Sequence, residues 1–214
     1  MAIEAPVLAE TAMVATTTVA TPTRERYHFT QREYYALVEA GVFTEDSRIE
    51  LVQGDIVTMA PIDAPQAGLV NRFGRLFHNG LGERAAVTVQ NPIVIGADTE
   101  PQPDLTLCKP RADDYTAKHP RPDEILLVVE VADSSVRYDR DTKMPLYAAA
   151  GIAEAWLLDL NGGTLEVYRT PSADGYKTLL RLKPGDTVSP LAFPDLILEV
   201  AALLPPPEQS NQSS

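Results

Sequence analysis

A chain of 214 residues, 44% hydrophobic and 22% charged, is long enough to bury a core and too apolar to remain disordered throughout. Its net charge of −12 excludes bulk attraction to nucleic acid or anionic membranes, so a polyanion must be met by a local patch or through bound cations. No stretch approaches the roughly 20 apolar residues of a membrane span, and the single cysteine, Cys108, excludes an intramolecular disulfide, which fits a reducing cytoplasm.

Residues 1–23 carry two Glu and no Lys or Arg, and read as a flexible leader rather than a signal peptide. Thr30-Gln31-Arg32-Glu33 has the spacing of a capping box. Tyr34, Leu37 and Val38 follow at helical spacing until Gly41. Two short apolar runs around Gln53-Gly54 predict a hairpin whose first strand carries Glu50 and which Pro61 ends. From Ala64 to Leu81, apolar residues at Leu69, Val70, Phe73, Leu76, Phe77 and Leu81 predict a second helix lying on a sheet. Strand-like runs at 85–96 and 104–108 flank the Pro-containing link ADTEPQP, and residues 109–123 form a polar loop.

The apolar strand Ile125–Val129 runs into Glu130 and is expected to be central and covered on both faces. An amphipathic helix over roughly 139–150 follows, carrying Lys143, Leu146 and Tyr147, with Pro145 placed near its start. Three further runs, AEAWLLDL, TLEVYRT and YKTLLRL, predict a meander, and FPDLILEVAALL a closing helix. The last ten residues, 205–214, read as a disordered tail, leaving 24–204 as the folded domain. The order of elements predicts an α/β fold, a central mixed β-sheet flanked by helices.

Three acids stand at strand positions: Glu50, Asp104 and Glu130. A charge at the end of a core strand is costly unless it is paired or bound to a metal. If the strands around Asp104 and Glu130 are neighbours, their carboxylates reach one end of the sheet and repel each other without a cation. An oxygen-rich set of this kind suits Mg2+, and Lys143 on the following helix can bring an ammonium back toward it.

With Pro103-Asp104, the strand ending in Glu130-Val131, then Ser134-Ser135, Asp139, Lys143, Tyr147 and GIAEAW, the chain resembles the Uma-type bacterial "putative restriction endonucleases" of the PD-(D/E)XK nuclease superfamily. The resemblance spans roughly residues 27–203 and includes ELVQGDIVTMAP and VQNPIVI. It implies a restriction-endonuclease-like core, a Mg2+ (or Mn2+) ion held by Asp104 and Glu130 with help from Glu50, DNA as substrate, and a homodimer. Two positions depart from the pattern. Ala132 stands where the superfamily has lysine, so Lys143 inherits that role. Gln66 stands where members often carry a histidine; it can hydrogen-bond but cannot carry a proton.

Each of these residues also has a structural reading. Glu130 could pair with Lys143 or an arginine, Asp104 could cap a strand after its proline, Glu50 could be a solvated hairpin acid, and Lys143 a solvated helix residue. Asp139 reads as a helix-start acid rather than a ligand. Gln90 and Asn91 could touch substrate. Arg72, Arg75, Arg84, Lys109, Arg111, Lys118 and Arg121 are candidate phosphate contacts, though the loop cations are interleaved with acids and read as a solvated loop. Trp156 and Cys108 read as core, and the three histidines show no ligand spacing. The other functions to weigh are an inactive binding or dimerisation module, and a glycosidase with a carboxylate pair about 5 to 9 Å apart. No G-x-x-x-x-G-K-[ST] or H-E-x-x-H motif supports an ATPase or a zinc protease.

Overall fold

The capping box closes as its spacing requires. In the computed structural model, which describes residues 25–205, Glu33 N–H donates to Thr30 Oγ1 at 3.3 Å and Thr30 N–H to Glu33 Oε2 at 2.9 Å. Helix α1 (Gln31–Glu39) starts there. The expected leader, and all of the expected tail but Pro205, lie outside the described residues. Strands β1 (Ile49–Val52) and β2 (Asp55–Thr58) form an antiparallel hairpin and a small sheet of their own. Gln53 and Gly54 both have positive φ, 51° and 79°, which a two-residue I′ turn demands.

The main sheet has six strands in the order β3-β4-β5-β6-β7-β8. These are β3 (Ala86–Val89), β4 (Leu105–Cys108), β5 (Ile125–Ala132), β6 (Glu154–Asp159), β7 (Thr164–Arg169) and β8 (Thr178–Leu182). Only β5 and β6 run parallel, so the sheet is mixed. One face is covered by α2 (Ala64–Leu81), whose Leu69, Val70, Phe73, Phe77 and Leu81 pack on Leu127, Val129, Val131, Trp156 and Leu158. The other face is covered by the segment between β5 and β6, through Met144, Leu146, Tyr147 and Ile152. The chain therefore has the expected α/β architecture.

The periodicity of two along β5 sends Val129 and Val131 toward α2 and Val128 and Ala132 toward the other layer. Glu130, lying between Val128 and Ala132, shares their face. Three elements differ from the sequence expectation. β5 runs beyond the apolar stretch Ile125–Val129, and one residue past the Glu130-Val131 end that the resemblance gives it, to Ala132, because its last residues are paired with Leu157, Leu158 and Asp159 of β6. The following helix begins at Val136, not near 139. It comprises α3 (Val136–Tyr138), a π turn (Asp139–Lys143) and α4 (Met144–Ala149). Pro145 lies well inside this continuous segment. The preceding i→i−5 bond, from Met144 N–H to Asp139 O, widens the turn that its ring would otherwise crowd. Finally, the closing segment is not helical throughout. Leu198–Glu199 forms β10, paired with β9 (Thr187–Val188), and only Val200–Leu203 makes a last turn, α5.

Candidate active site

Pairing of β4 with β5 sets Leu105 opposite Val129, so one residue further along Asp104 comes beside Glu130. Asp104 Oδ2 accepts from Val131 N–H at 2.8 Å and Oδ1 from Gln90 Nε2 at 3.3 Å. The hairpin brings in Glu50, whose Oε2 accepts from the Gln102 N–H at 3.1 Å. The crossover helix brings in Lys143, whose ammonium lies 3.3 Å from Glu130 Oε1, 3.4 Å from Glu50 Oε2 and 3.9 Å from Asp139 Oδ1. All four residues expected from the sequence thus meet at one place, where Glu50, Asp104, Glu130 and Lys143 are each buried. They line an open cavity of about 290 Å3.

Asp139 is a correction. It is not a surface acid at a helix start but a buried member of the cluster, held by Ser135 Oγ–H at 2.7 Å. The signal that could have found it is the i, i+4, i+8 series Asp139, Lys143, Tyr147, which lies on one helix face. Tyr147, also buried, donates from its hydroxyl to Glu130 Oε1 at 2.6 Å. Gln66 faces the same cavity from the first turn of α2, where Asp63 caps its N–H, and donates through Nε2 to Val131 O at 2.6 Å. Tyr138 also lines the cavity, and its buried hydroxyl has no hydrogen-bond partner among the described residues.

Four acids and one ammonium set the electrostatics. Burial pushes Glu130 up to about 8, helped by Asp139 and Asp104 and opposed by Lys143 and the Tyr147 hydroxyl. Asp104 and Asp139 are raised for the same reason, with Lys143 and hydrogen bonds pulling the other way. Burial alone would lower Lys143, but the field of Glu130, Glu50, Asp139 and Asp104 outweighs it and keeps the amine protonated. The cluster therefore retains a proton on a carboxylate near neutrality and keeps its lysine charged. Among the described residues, no three His, Cys, Asp or Glu side chains are already grouped to hold a metal ion. The ammonium lies between Glu50 and Glu130 instead.

The candidate phosphate contacts divide. Arg72 donates to Ala202 O and Leu204 O, Arg84 pairs with Asp195, and Arg111 pairs with Asp113 and Glu124 while lying 4.0 Å above the Tyr115 ring. These three guanidiniums serve the fold. Arg140, from the π turn, pairs with Glu166 and Asp159 and pins the crossover helix to the sheet. Trp156 and Cys108 are core as expected.

A mixed sheet that sets Asp104, in the bend just before β4 rather than in a strand, beside Glu130 of β5, with a lysine returned by the crossover helix, defines a restriction-endonuclease-like α/β protein. Residues 32–201 match the family model Uma2, described as "Putative restriction endonuclease", and the chain belongs to that family. Among solved structures the fold is similar to that of a "putative nuclease" from Anabaena variabilis, with a TM-score of 0.60 and 17% identity. That likeness covers 78% of this chain and 96% of the other. No curated protein matches the chain. No helix among the described residues is long and apolar enough to cross a membrane.

Proposed function

We propose that this chain is a divalent-metal-dependent endonuclease that hydrolyses DNA phosphodiester bonds, with Asp104 and Glu130 holding Mg2+ or Mn2+ and Glu50 assisting. The observation that carries the reading is the donor set: four buried carboxylates share a cavity with a single buried ammonium. Such a surplus of buried negative charge is costly, and a hard dication with oxygen ligands answers it. When bound, the ion supplies an acidified water and neutralises charge on the phosphoryl oxygens.

The chain's own residues do the rest. Val131 N–H and Gln90 orient the Asp104 carboxylate, and the Tyr147 hydroxyl orients Glu130. Lys143, freed from its place between Glu50 and Glu130, positions the attacking water or stabilises charge gathering on the phosphorus centre. The family description, and the nuclease name borne by the protein of similar fold, favour DNA. Cutting both strands calls for two such sites, so the proposal includes a homodimer working in the cytoplasm.

A second reading, a non-catalytic binding or dimerisation module, is favoured by Lys143 sitting in ion pairs among the acids and by Gln66 engaging Val131 O. Incubating supercoiled and linear DNA with the protein in Mg2+, Mn2+ or EDTA, beside a Glu130→Gln variant, separates the two. The nuclease cuts only with metal, and the variant loses on the order of 100-fold or more in rate. If neither protein cuts and calorimetry detects no metal binding, the module reading replaces it.

A further inference from the structure

Next to the acidic cleft lies a larger cavity of about 900 Å3, walled by α1, the β1–β2 hairpin and the irregular segments near residues 90–92 and 100–102. Arg48, Met59 and Gln102 line both cavities, so the two are compartments of one groove. Its size is that of a pocket for a small organic group rather than a gap between packed side chains.

The lining has a definite chemistry. Tyr34, Tyr35 and Phe43 supply an aromatic wall, and Tyr35 is 40% exposed where core tyrosines are not. Glu100 supplies a carboxylate that is only 4% exposed. Its backbone N–H is fixed to Leu51 O at 2.6 Å, so the hairpin determines where the side chain stands. Among the described residues, only the Tyr35 hydroxyl donates to this carboxylate. Burial raises Glu100, with Tyr35 and His119 pulling it back. Its second carboxylate oxygen accepts from no described residue and opens to the cavity, where a ligand N–H can reach it. Asn91 and His119 add further polar groups to the same cavity.

Arg48, at the junction, is in the left-handed region at φ 40°, a costly conformation for a non-glycine residue. Its guanidinium makes no ion pair with a described residue, unlike those of Arg84, Arg111 and Arg140. A cation with no ion pair among the described residues, standing between two cavities, is placed for a phosphate.

An aromatic wall, an acceptor-only group facing it and a cation one step away are what a nucleotide requires: stacking for the base, an acceptor for an amino group, and charge for the phosphate. We propose that this cavity is a base-binding subsite for the nucleotide next to the cleaved phosphodiester. The base lies against Tyr35 and Phe43, its exocyclic amino group donates to Glu100, and Arg48 meets the intervening phosphate. The inference rests on the nuclease reading of the neighbouring cleft and deepens it, naming an unpaired, amino-bearing base as the feature recognised.

The test is titration of the full chain, in EDTA, with each of the deoxynucleoside monophosphates, followed by amide NMR spectra. The adenine, cytosine and guanine nucleotides are expected to shift amides around Tyr35, Asn91, Glu100 and His119. They should bind about tenfold more tightly than the thymine nucleotide, the equivalent of one hydrogen bond to a charged group. Glu100→Leu, which removes the acceptor, should erase that preference, and Tyr35→Ala should weaken all of the nucleotides together, with the dispersion of each spectrum reporting that the variant is folded. Shifts scattered elsewhere, equal affinity for every base, or a preference that survives Glu100→Leu overturns the subsite. DNA cleavage assayed in parallel keeps the two readings apart. Base binding without metal-dependent cleavage leaves the subsite and sinks the nuclease, whereas cleavage without base binding does the reverse.

Discussion

Lys143 holds the site's charges together, since Glu50, Glu130 and Asp139 all face its ammonium. Replacing it by methionine keeps the length and removes the charge, leaving buried carboxylates unpaired. Lys143→Met should therefore destabilise the metal-free protein by about 3–5 kcal/mol in urea denaturation. An unchanged midpoint would mean that the acids have already neutralised themselves by protonation. Glu130 contributes a pH dependence whose sign follows from its shift. Its pKa is about 8 when folded, against an ordinary 4.5, so between those values the folded protein binds a proton that the unfolded chain has lost. That contribution is complete below about pH 4.5 and is lost as pH rises through 8. The metal-free Tm should fall from about pH 5 to about pH 8.5, with a flatter slope in Glu130→Gln; equal slopes would place the proton elsewhere. Glu130 was legible in the sequence because it interrupts an apolar run. Asp139 was not, because Arg137, Arg140 and Asp141 around it look like a solvated helix start, and only the tertiary fold buries it.

At the level of elements, α2 and the hairpin could be read almost to the residue, since a capped, periodic helix and a Gln-Gly turn carry their own local signals. The end of β5 could not. Val131 and Ala132 are strand because β6 pairs with them in parallel, a long-range fact that no local pattern contains. The π turn was equally hidden, although Pro145 was its clue. The β3–β4 pair holds one internal flaw. Thr88 and Thr106 are opposite each other, and both hydroxyls are buried with no hydrogen-bond partner among the described residues. A stranded hydroxyl costs more than a methyl in the same place. Thr106→Val, near in shape, should raise stability by about 1 kcal/mol, measured as a higher denaturation midpoint at constant slope. A loss of stability would reveal an ordered water serving both hydroxyls.

On the scale of the molecule, the net charge of −12 leaves little general attraction to DNA, and Arg72, Arg84, Arg111 and Arg140 are occupied within the fold. If DNA is the substrate, its recognition is expected in the groove. Half of that groove could be anticipated from the strand acids. The half beside α1 could not, because Glu100 lies in a proline-flanked link that reads as a turn, and only the tertiary fold sets it on β1 through its bridge to Leu51 and beneath the Tyr35 hydroxyl of α1. The hairpin forms a two-stranded sheet of its own, tied to the rest of the chain by that bridge, by the Glu50–Lys143 contact and by loop bonds such as Gly54 N–H to Asp98 O and Gln53 N–H to Thr99 Oγ1. A two-stranded sheet is a smaller cooperative unit than the six-stranded sheet, so its amides are the more sensitive to a change in one anchoring contact. If a dication draws Glu50 and Glu130 together more firmly than the ammonium does, hydrogen–deuterium exchange across residues 49–58 should slow when Mg2+ is added. Unchanged exchange, with metal bound, would remove Glu50 from the ligand set. The hairpin amides would thus act as an occupancy gauge, reporting in minutes of isotope uptake on an ion that they never touch.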